Sequence, residues 1–160
     1  MNKESSWSGT SVSRPVINGE STLMTGRAFH VIRRTLRYVD GTIITRDVVM
    51  HPPAIAVLVH DTTNDRYLLE KEYRAGINDM AYGVVAGFME PEEAPQSAML
   101  RELDEETGIN LHGTAITGID ARLRILPHMN SSEGFTDERA YLFVLNIDQD
   151  LSLIHISEPT

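Results

Sequence analysis

An acidic run, ELDEE at 102–106, constrains the fold of this chain more than any other feature. The surrounding residues predict a helix over 95–107, because QSAMLRELDEET consists mostly of good helix formers. Pro95 suits the first helical turn, and Gly108 suits the position just past the end of a helix. The sequence therefore places four acidic residues on one short helix, where like charges repel each other.

The spacing of three of these residues suggests a function for the negative charge. Glu102 and Glu106 are four positions apart, and Glu105 is three from Glu102, so the three carboxylates project to one side of a helix. Unpaired, each such contact costs about 0.2–0.5 kcal/mol. Bound Mg²⁺ would make the same arrangement favourable, since it takes oxygen ligands and usually binds substrate phosphates at the same time. The cluster is thus interpreted as half of a metal site whose other half is a phosphate ligand; the alternative is a solvated acidic face.

Arg101 is given a separate role at the start of this cluster. A carboxylate at Glu93, near the helix start, suits the helix dipole and could pair with it. Such a pair would hold the loop 87–94 against the helix.

Composition limits the partners of the chain. The 160 residues carry a net charge of −9, which argues against general binding to nucleic acid or to an anionic membrane. There is no cysteine, so a disulfide framework and a thiolate metal site are excluded. No apolar run approaches the length of a membrane span, and the first residues do not resemble a secretory signal. We expect a cytoplasmic protein that needs a cation between itself and any anionic substrate.

The remaining pattern predicts a sheet. Residues 1–22 are rich in Ser, Gly, Asn and Thr and are expected to be a flexible lead. Asp40-Gly41 is a hairpin signal between two alternating β-branched runs. Loops are expected at 75–81 and 126–137. Strands are predicted at 28–38, 42–50, 54–60, 67–74, 82–87, 115–125 and 139–147.

The last ten residues, LSLIHISEPT, read like a translated sequencing-library adapter and not like a protein element. We expect 151–160 to be a non-native tail and leave it out of the predicted fold. The alternative is a genuine strand followed by a short tail.

One motif covers the acidic helix and the loop before it. It has the form Gx5Ex7REUxEExGU, where U is a bulky apolar residue, and every defined position matches. The chain therefore resembles a Nudix hydrolase. The matching residues are Gly87, Glu93, Arg101, Glu102, Leu103, Glu105, Glu106, Gly108 and Ile109.

The resemblance implies a fold and a catalytic centre. The fold would be an α/β/α sandwich with a mixed sheet over 52–150, preceded by an N-terminal β-hairpin and dimerisation unit over 23–51. The cofactor would be Mg²⁺ or Mn²⁺. The implied metal ligands and catalytic residues are Glu102, Glu105, Glu106, the carbonyl oxygen of Ala86, Arg101 and Glu93.

Further segments resemble the ADP-ribose pyrophosphatase branch of that family. LLEKEYRAG (68–76) would make Arg74 a substrate contact, and TRDVVMHP (45–52) would do the same for Arg46. GFTDER (134–139) would make Glu138 face the substrate or the partner subunit. Met89, inside the motif, is also counted among the substrate-binding residues. The branch implies hydrolysis of ADP-ribose or a related nucleoside diphosphate sugar to AMP and ribose 5-phosphate by a homodimer.

Departures from that branch leave alternatives open. VVAG (84–87) stands where the branch usually has Leu-Pro-Ala-Gly, and Gly83 replaces the acidic residue that usually precedes it. If 151–160 is non-native, a catalytic Glu that the branch often carries after 139–147 would be missing. The alternatives are a Nudix hydrolase of a dinucleotide or another sugar nucleotide, and a weak Nudix nucleotide-binding module.

Overall fold

A computed structural model of the chain describes residues 13–111 and 122–148. These residues form eleven strands and one helix. In chain order they are β1 (Val16–Thr25), β2 (His30–Arg37), β3 (Ile43–Met50), β4 (Ala54–Asp61), β5 (Arg66–Leu68), β6 (Glu70–Arg74), β7 (Asp79–Gly83), β8 (Val85–Phe88), α1 (Pro95–Thr107), β9 (Leu123–Ile125), β10 (Met129–Asn130) and β11 (Arg139–Ile147).

The N-terminal unit is a three-stranded antiparallel sheet in the order β1-β2-β3. The predicted hairpin is present between β2 and β3, with Gly41 at a φ of 86° and the Thr42 N–H donating to the Asp40 side chain at 2.9 Å. The expectation of a flexible lead over 1–22 is wrong for its last part, because β1 begins at Val16 and pairs along β2. Residues 1–12 lie outside the described residues.

A six-stranded mixed sheet forms the centre of the molecule. β4 and β11 run parallel through eight paired residues, from Ala54 opposite Ala140 to Asp61 opposite Ile147. On its other edge β4 pairs antiparallel with β8 through one half and with β5 through the other. β9 and β10 pair antiparallel with β11. The predicted strands 54–60 and 139–147 are confirmed. Of the predicted strand 115–125, β9 covers the end and 112–121 lie outside the described residues.

A two-stranded ribbon, β6–β7, carries residues that the sequence assigned differently. The single strand expected over 67–74 is divided at Leu69 into β5 and β6. The loop expected over 75–81 is shorter, since β7 already starts at Asp79. The ribbon pairs from Glu70 opposite Gly83 to Arg74 opposite Asp79.

Helix α1 has the bounds that the sequence predicts. Pro95 occupies its first turn, and Gly108 ends it in the left-handed conformation with a φ of 70°, donating its N–H to the Asp104 carbonyl oxygen at 2.9 Å. Met99 and Leu103, four positions apart, are fully buried against the central sheet. Each such burial stabilises the fold by about 1.5–3 kcal/mol and fixes the rotation of the helix about its axis.

The fold is mixed α/β, with a mixed sheet and one helix among the described residues. The second helical layer of the expected sandwich is not found within 13–111 and 122–148. No helix in those ranges is long and apolar enough to cross a membrane.

Backbone hydrogen bonds join the N-terminal sheet to the loop between β10 and β11. The Val49 N–H donates to the Phe135 carbonyl oxygen at 2.8 Å, and the Asp137 N–H donates to the Val49 carbonyl oxygen at 3.2 Å. The His51 N–H adds a bond to the Asp137 side chain at 2.8 Å. The loop is thus fastened by two bonds to the end of β3 and by a third to His51, which follows it.

Candidate active site

Helix α1 turns its carboxylates toward the end of β8. Because Leu103 is fully buried, its neighbours on the helix are held at the border of the sheet. The Glu102 side chain is 12% exposed, whereas that of Glu105 is 61% exposed. Glu102 therefore faces the protein and Glu105 faces solvent, although both stand on the predicted side of the helix.

Gly87 makes room for Glu102. A Cβ atom at position 87 would overlap the Glu102 carboxylate, so only glycine allows this contact. Since β8 pairs with β4, the backbone at Gly87 is itself fixed by the central sheet. The sheet thereby sets the position of the helix carboxylate.

Arg101 connects the helix to the loop that precedes it. Its guanidinium donates two hydrogen bonds to Glu93, Nε to Oε1 at 3.1 Å and Nη2 to Oε2 at 2.9 Å. It also donates to Oε1 of Glu102 at 2.7 Å, to Oε2 of Glu105 at 3.3 Å and to the Phe88 carbonyl oxygen at 2.9 Å. The Arg101–Glu93 pair expected from the sequence is present.

These bonds shift the acid–base equilibria of both partners. Hydrogen bonding to Arg101, with a further bond from the Glu90 N–H, lowers the pKa of Glu93. The same bonds to Glu93 and Glu102 raise the pKa of Arg101. Both side chains therefore stay charged at neutral pH, and loop 88–93 is held by an ion pair that is largely screened from water.

Glu106 has a different electrostatic environment. Burial raises the pKa of its carboxyl to about 7, with further contributions from the negative charges of Glu70 and Glu102. A hydrogen bond from the Ala86 backbone opposes the shift. At neutral pH this carboxyl is therefore divided between its neutral and charged forms, and a nearby cation would favour the charged form.

Glu70 is a member of the cluster that the sequence did not identify. It lies in β6, and its side chain is hydrogen-bonded to Glu106. Burial raises the pKa of Glu70, and the charges of Glu72 and Glu102 act in the same direction. Its Oε1 atom is buried and has no hydrogen-bond partner within the described ranges.

A signal for Glu70 exists in the sequence, although it is weak. Alternation along a strand places Glu70, Glu72 and Arg74 on one face. Arg74 is already a predicted substrate contact, so its face of β6 should turn toward the site. The contact with Glu106 depends on how the ribbon packs on the helix, which no local pattern reveals.

The donor set fits a hard divalent cation by its chemistry. The carboxylates of Glu70, Glu102 and Glu106 supply oxygen donors. Burial, and after it the repulsion between neighbouring negative charges, raises the pKa of Glu70 and of Glu106. In 13–111 and 122–148 no three such side chains are arranged around one point as they stand. The Glu102 carboxylate accepts a hydrogen bond from Arg101, and Glu70 is hydrogen-bonded to Glu106. Cation binding thus requires these carboxylates to exchange partners.

Ala86 lies where its carbonyl oxygen can join this set. It is paired with Ala56 of β4, and its backbone N–H is hydrogen-bonded to Glu106. The N–H and the carbonyl of one strand residue point to the same edge. The Ala86 carbonyl is therefore directed toward the side of β8 on which Glu106 lies.

Arg74 lies on the same face of the ribbon as Glu70. Its Nη2 atom forms an ion pair with Glu72 at 3.0 Å, and its side chain is 49% exposed. Gly83, across the ribbon, has no side chain, and a Cβ there would meet the Arg74 guanidinium at 3.5 Å. The guanidinium is thus available to solvent beside the carboxylate cluster.

The other predicted substrate contacts are not drawn into the cluster. Arg46 is exposed in β3 and donates to the Thr45 carbonyl oxygen at 2.9 Å. Glu138 accepts a hydrogen bond from Ser131 and lies 3.4 Å from Nδ1 of His51. Within the described ranges, no hydrogen bond or ion pair joins either of them to the helix carboxylates.

Met89 and a pocket beside the N-terminal sheet also lie apart from the carboxylates. Met89 packs partly buried against the hydrophobic core, and its N–H donates to the Pro53 carbonyl oxygen at 2.9 Å. A pocket of about 270 Å³ lies between the β1–β2 turn and the segment 50–52. It borders the N-terminal sheet and not α1.

Comparison with known proteins relates this geometry to characterised families. A family model described as the NUDIX domain matches residues 50–154, which is more than half of the chain. The chain is 29% identical over 122 residues to an ADP-ribose pyrophosphatase of Bacillus subtilis (strain 168), covering 76% of this chain and 60% of that protein. It is 30% identical over 105 residues to a methanol dehydrogenase activator of Bacillus methanolicus, covering 66% and 51%.

This chain thus spans between about half and three fifths of the length of these curated relatives. A solved structure described as an ADP compounds hydrolase superposes with a TM-score of 0.69 at 19% identity, over 94% of this chain and 74% of the other. That likeness shows the fold. With the motif complete and the domain matched over most of the described residues, the chain belongs to the Nudix family.

Proposed function

We propose that this protein is a Nudix pyrophosphohydrolase that uses Mg²⁺ or Mn²⁺ to hydrolyse ADP-ribose or a related nucleoside diphosphate sugar. Water would attack one phosphorus of the pyrophosphate, and cleavage would release AMP and ribose 5-phosphate from ADP-ribose. The observation that carries the proposal is the carboxylate of Glu102, seated over Gly87 beside Glu106 at the open edge of β8. The similarity to an ADP-ribose pyrophosphatase supports the choice of substrate.

The residues of this chain would divide the work as follows. Glu102 and Glu106 would hold the cation, Glu105 would contribute directly or through water, and the Ala86 carbonyl would add a neutral donor. A divalent cation bound there lowers the pKa of the attacking water and offsets the charge of the pyrophosphate. Arg101 would hold the helix and the preceding loop in one arrangement through Glu93.

Arg74 would bind the substrate phosphates. A guanidinium presents paired donors that match phosphate oxygens, and this one is half exposed on the face of β6 that carries Glu70. Its present partner, Glu72, is also solvent-exposed in part, so a phosphate could replace it at little cost. Arg46, Glu138 and Met89 stay predicted substrate contacts that would need a different arrangement of the loop or a second chain.

A substrate panel tests the proposed function. The purified chain would be incubated with ADP-ribose, sugar nucleotides, dinucleotides and nucleoside triphosphates, with and without Mg²⁺, and products separated by chromatography. We expect Mg²⁺-dependent release of AMP from ADP-ribose. Preferred turnover of a dinucleotide or of another sugar nucleotide would instead support the alternative substrate. A Glu106→Gln variant that hydrolyses ADP-ribose as fast as the parent would contradict the site assignment.

A second candidate function is nucleotide binding without turnover. Two observations favour it: the carboxylates are not arranged as a finished ligand set in the described residues, and one relative is described as an activator of another enzyme. Calorimetric binding of ADP-ribose with no product after prolonged incubation with Mg²⁺ would support this function over hydrolysis.

We also propose that the protein is a homodimer that associates through the N-terminal sheet. Every residue of β1 is exposed in the single chain. Four of them are large apolar side chains: Val16, Ile17, Leu23 and Met24. Large apolar side chains exposed on an outer strand of a small protein are typical of an interface. Location in the cytoplasm stays a prediction from the sequence.

A further inference from the structure

The two faces of the β6–β7 ribbon differ in character. Lys71 and Tyr73 alternate with the acidic residues of β6, and Lys71 lies over the ring of Tyr82 at 5.6 Å. That face is aromatic and open to solvent. The opposite face carries Glu70 at the end nearest α1, where the side chain is hydrogen-bonded to Glu106. The ribbon therefore extends one carboxylate from the sheet toward the catalytic helix.

The surroundings of Glu70 are unfavourable for a carboxylate that has only a structural role. Its Oε1 atom is buried without a hydrogen-bond partner in the described residues. Its partner across the ribbon, Gly83, has no side chain that could donate to it. Arg74 is the cation that acts on Glu70, and its guanidinium is engaged by Glu72. A buried acceptor left in this state destabilises a fold.

A purely structural role would explain only half of this arrangement. The hydrogen bond between Glu70 and Glu106 satisfies one oxygen of each carboxyl. It leaves Oε1 of Glu70 without a donor. A ligand that offers positive charge to both carboxylates would satisfy this atom and remove the repulsion between them.

We propose that Glu70 is a further oxygen donor of the divalent-cation site, placed on β6 opposite Glu106. The inference rests on the proposed function, since it assumes that the α1 carboxylates take up such a cation. It adds to the helix motif a ligand from the sheet, and it gives the ribbon a direct role in holding the cation. Glu70 lies outside the residues of the helix motif.

The test is cation binding by the whole chain, measured apart from catalysis. Mn²⁺ would be titrated into the parent and into Glu70→Gln at about pH 8, where Glu106 is charged, with free Mn²⁺ followed by electron paramagnetic resonance. We expect the Kd of the variant to rise about tenfold or more, as it does when a carboxylate that supports a metal is removed. Glu72→Gln is the matched control, because it removes the same charge from the same face of the same strand. For this control we expect a change within about twofold, because an exposed charge is screened.

Thermal unfolding shows whether each variant is folded. Without metal, Glu70→Gln should melt at or above the temperature of the parent, because it removes a buried negative charge next to Glu106. The rise in melting temperature that Mn²⁺ gives the parent should be reduced in Glu70→Gln and retained in Glu72→Gln.

The outcomes separate the inference from the function on which it rests. Equal Mn²⁺ affinity in the parent and in a folded Glu70→Gln would overturn the inference and leave the hydrolase proposal intact. An equal loss in Glu72→Gln would reduce the effect to general charge and would also overturn it. A parent that takes up no Mn²⁺ would contradict the metal-dependent function itself, and the role of Glu70 with it.

Discussion

Gly87 and Glu102 are in direct contact, so that the carboxylate of the helix lies where the side chain of any other residue at 87 would stand. The strand and the helix are thus adjusted to each other at one point. Gly87→Ala should displace the Glu102 carboxylate and reduce kcat for ADP-ribose by about 100-fold, which is typical of a misplacement of about 1 Å. Steady-state kinetics would measure the loss. Gly76→Ala is the control, because nothing lies within 4 Å of a Cβ there. Equal activity of the two variants would show that the contact has no catalytic consequence.

The Arg101–Glu93 pair should contribute more to stability than an ion pair at the surface. Arg101→Lys removes the two parallel hydrogen bonds to Glu93, and we expect a loss of about 1–3 kcal/mol in the free energy of unfolding. Urea unfolding followed by circular dichroism would measure it.

Arg33→Lys gives a matched control for that prediction. Arg33 also donates two hydrogen bonds to one carboxylate, that of Asp47, but both side chains are 49% exposed. We expect a smaller loss there than for Arg101→Lys, because solvent screens an exposed ion pair. A larger loss for Arg33→Lys than for Arg101→Lys would contradict the role assigned to the buried pair.

The stability of the metal-free protein should depend on Glu106. The pKa of Glu106 is about 7 in the folded chain, compared with an ordinary value of 4.5. Between these two pH values the carboxyl is therefore protonated in the folded state and has lost its proton in the unfolded state. Stability from this group is complete below the lower value and is lost as pH rises through about 7. In EDTA, the melting temperature of the parent minus that of Glu106→Gln should decrease as the pH is raised from about 4.5 to about 7. A difference that stays constant or rises would be inconsistent with the raised pKa.

The N-terminal sheet should determine the oligomeric state. Leu23→Lys introduces a charge among the exposed apolar side chains of β1. We expect it to shift the protein from dimer to monomer, as measured by light scattering coupled to size-exclusion chromatography. Val39→Lys is the control, because Val39 is 80% exposed at the β2–β3 turn. A monomeric parent, or a Leu23→Lys variant that remains dimeric, would contradict an interface on β1.

The parts that the sequence predicts correctly carry strong local signals. Helix α1 has the predicted bounds because Pro95 and Gly108 determine its ends without help from the rest of the chain. Strands β4 and β11 are long and apolar. By contrast, β1 is mostly polar and fully exposed. It is a strand because it pairs with β2, and its own composition does not predict this.

The site divides in the same way. The placement of Glu102, Glu105 and Glu106 on one side of a helix follows from their spacing, so it can be predicted from the sequence. The different burial of Glu102 and Glu105 depends on the rotation of α1 against the sheet. The contact between Glu70 and Glu106 joins a strand to a helix 36 positions later, and no periodic pattern encodes such a contact.

The three bonds that tie the β10–β11 loop to Val49 and His51 bear on protein engineering. Replacing residues 131–137 with a longer or shorter loop would change the loop and would also remove the hydrogen bonds that attach it to the N-terminal sheet. Library design in this protein should therefore treat that loop and the end of β3 as one exchangeable cassette.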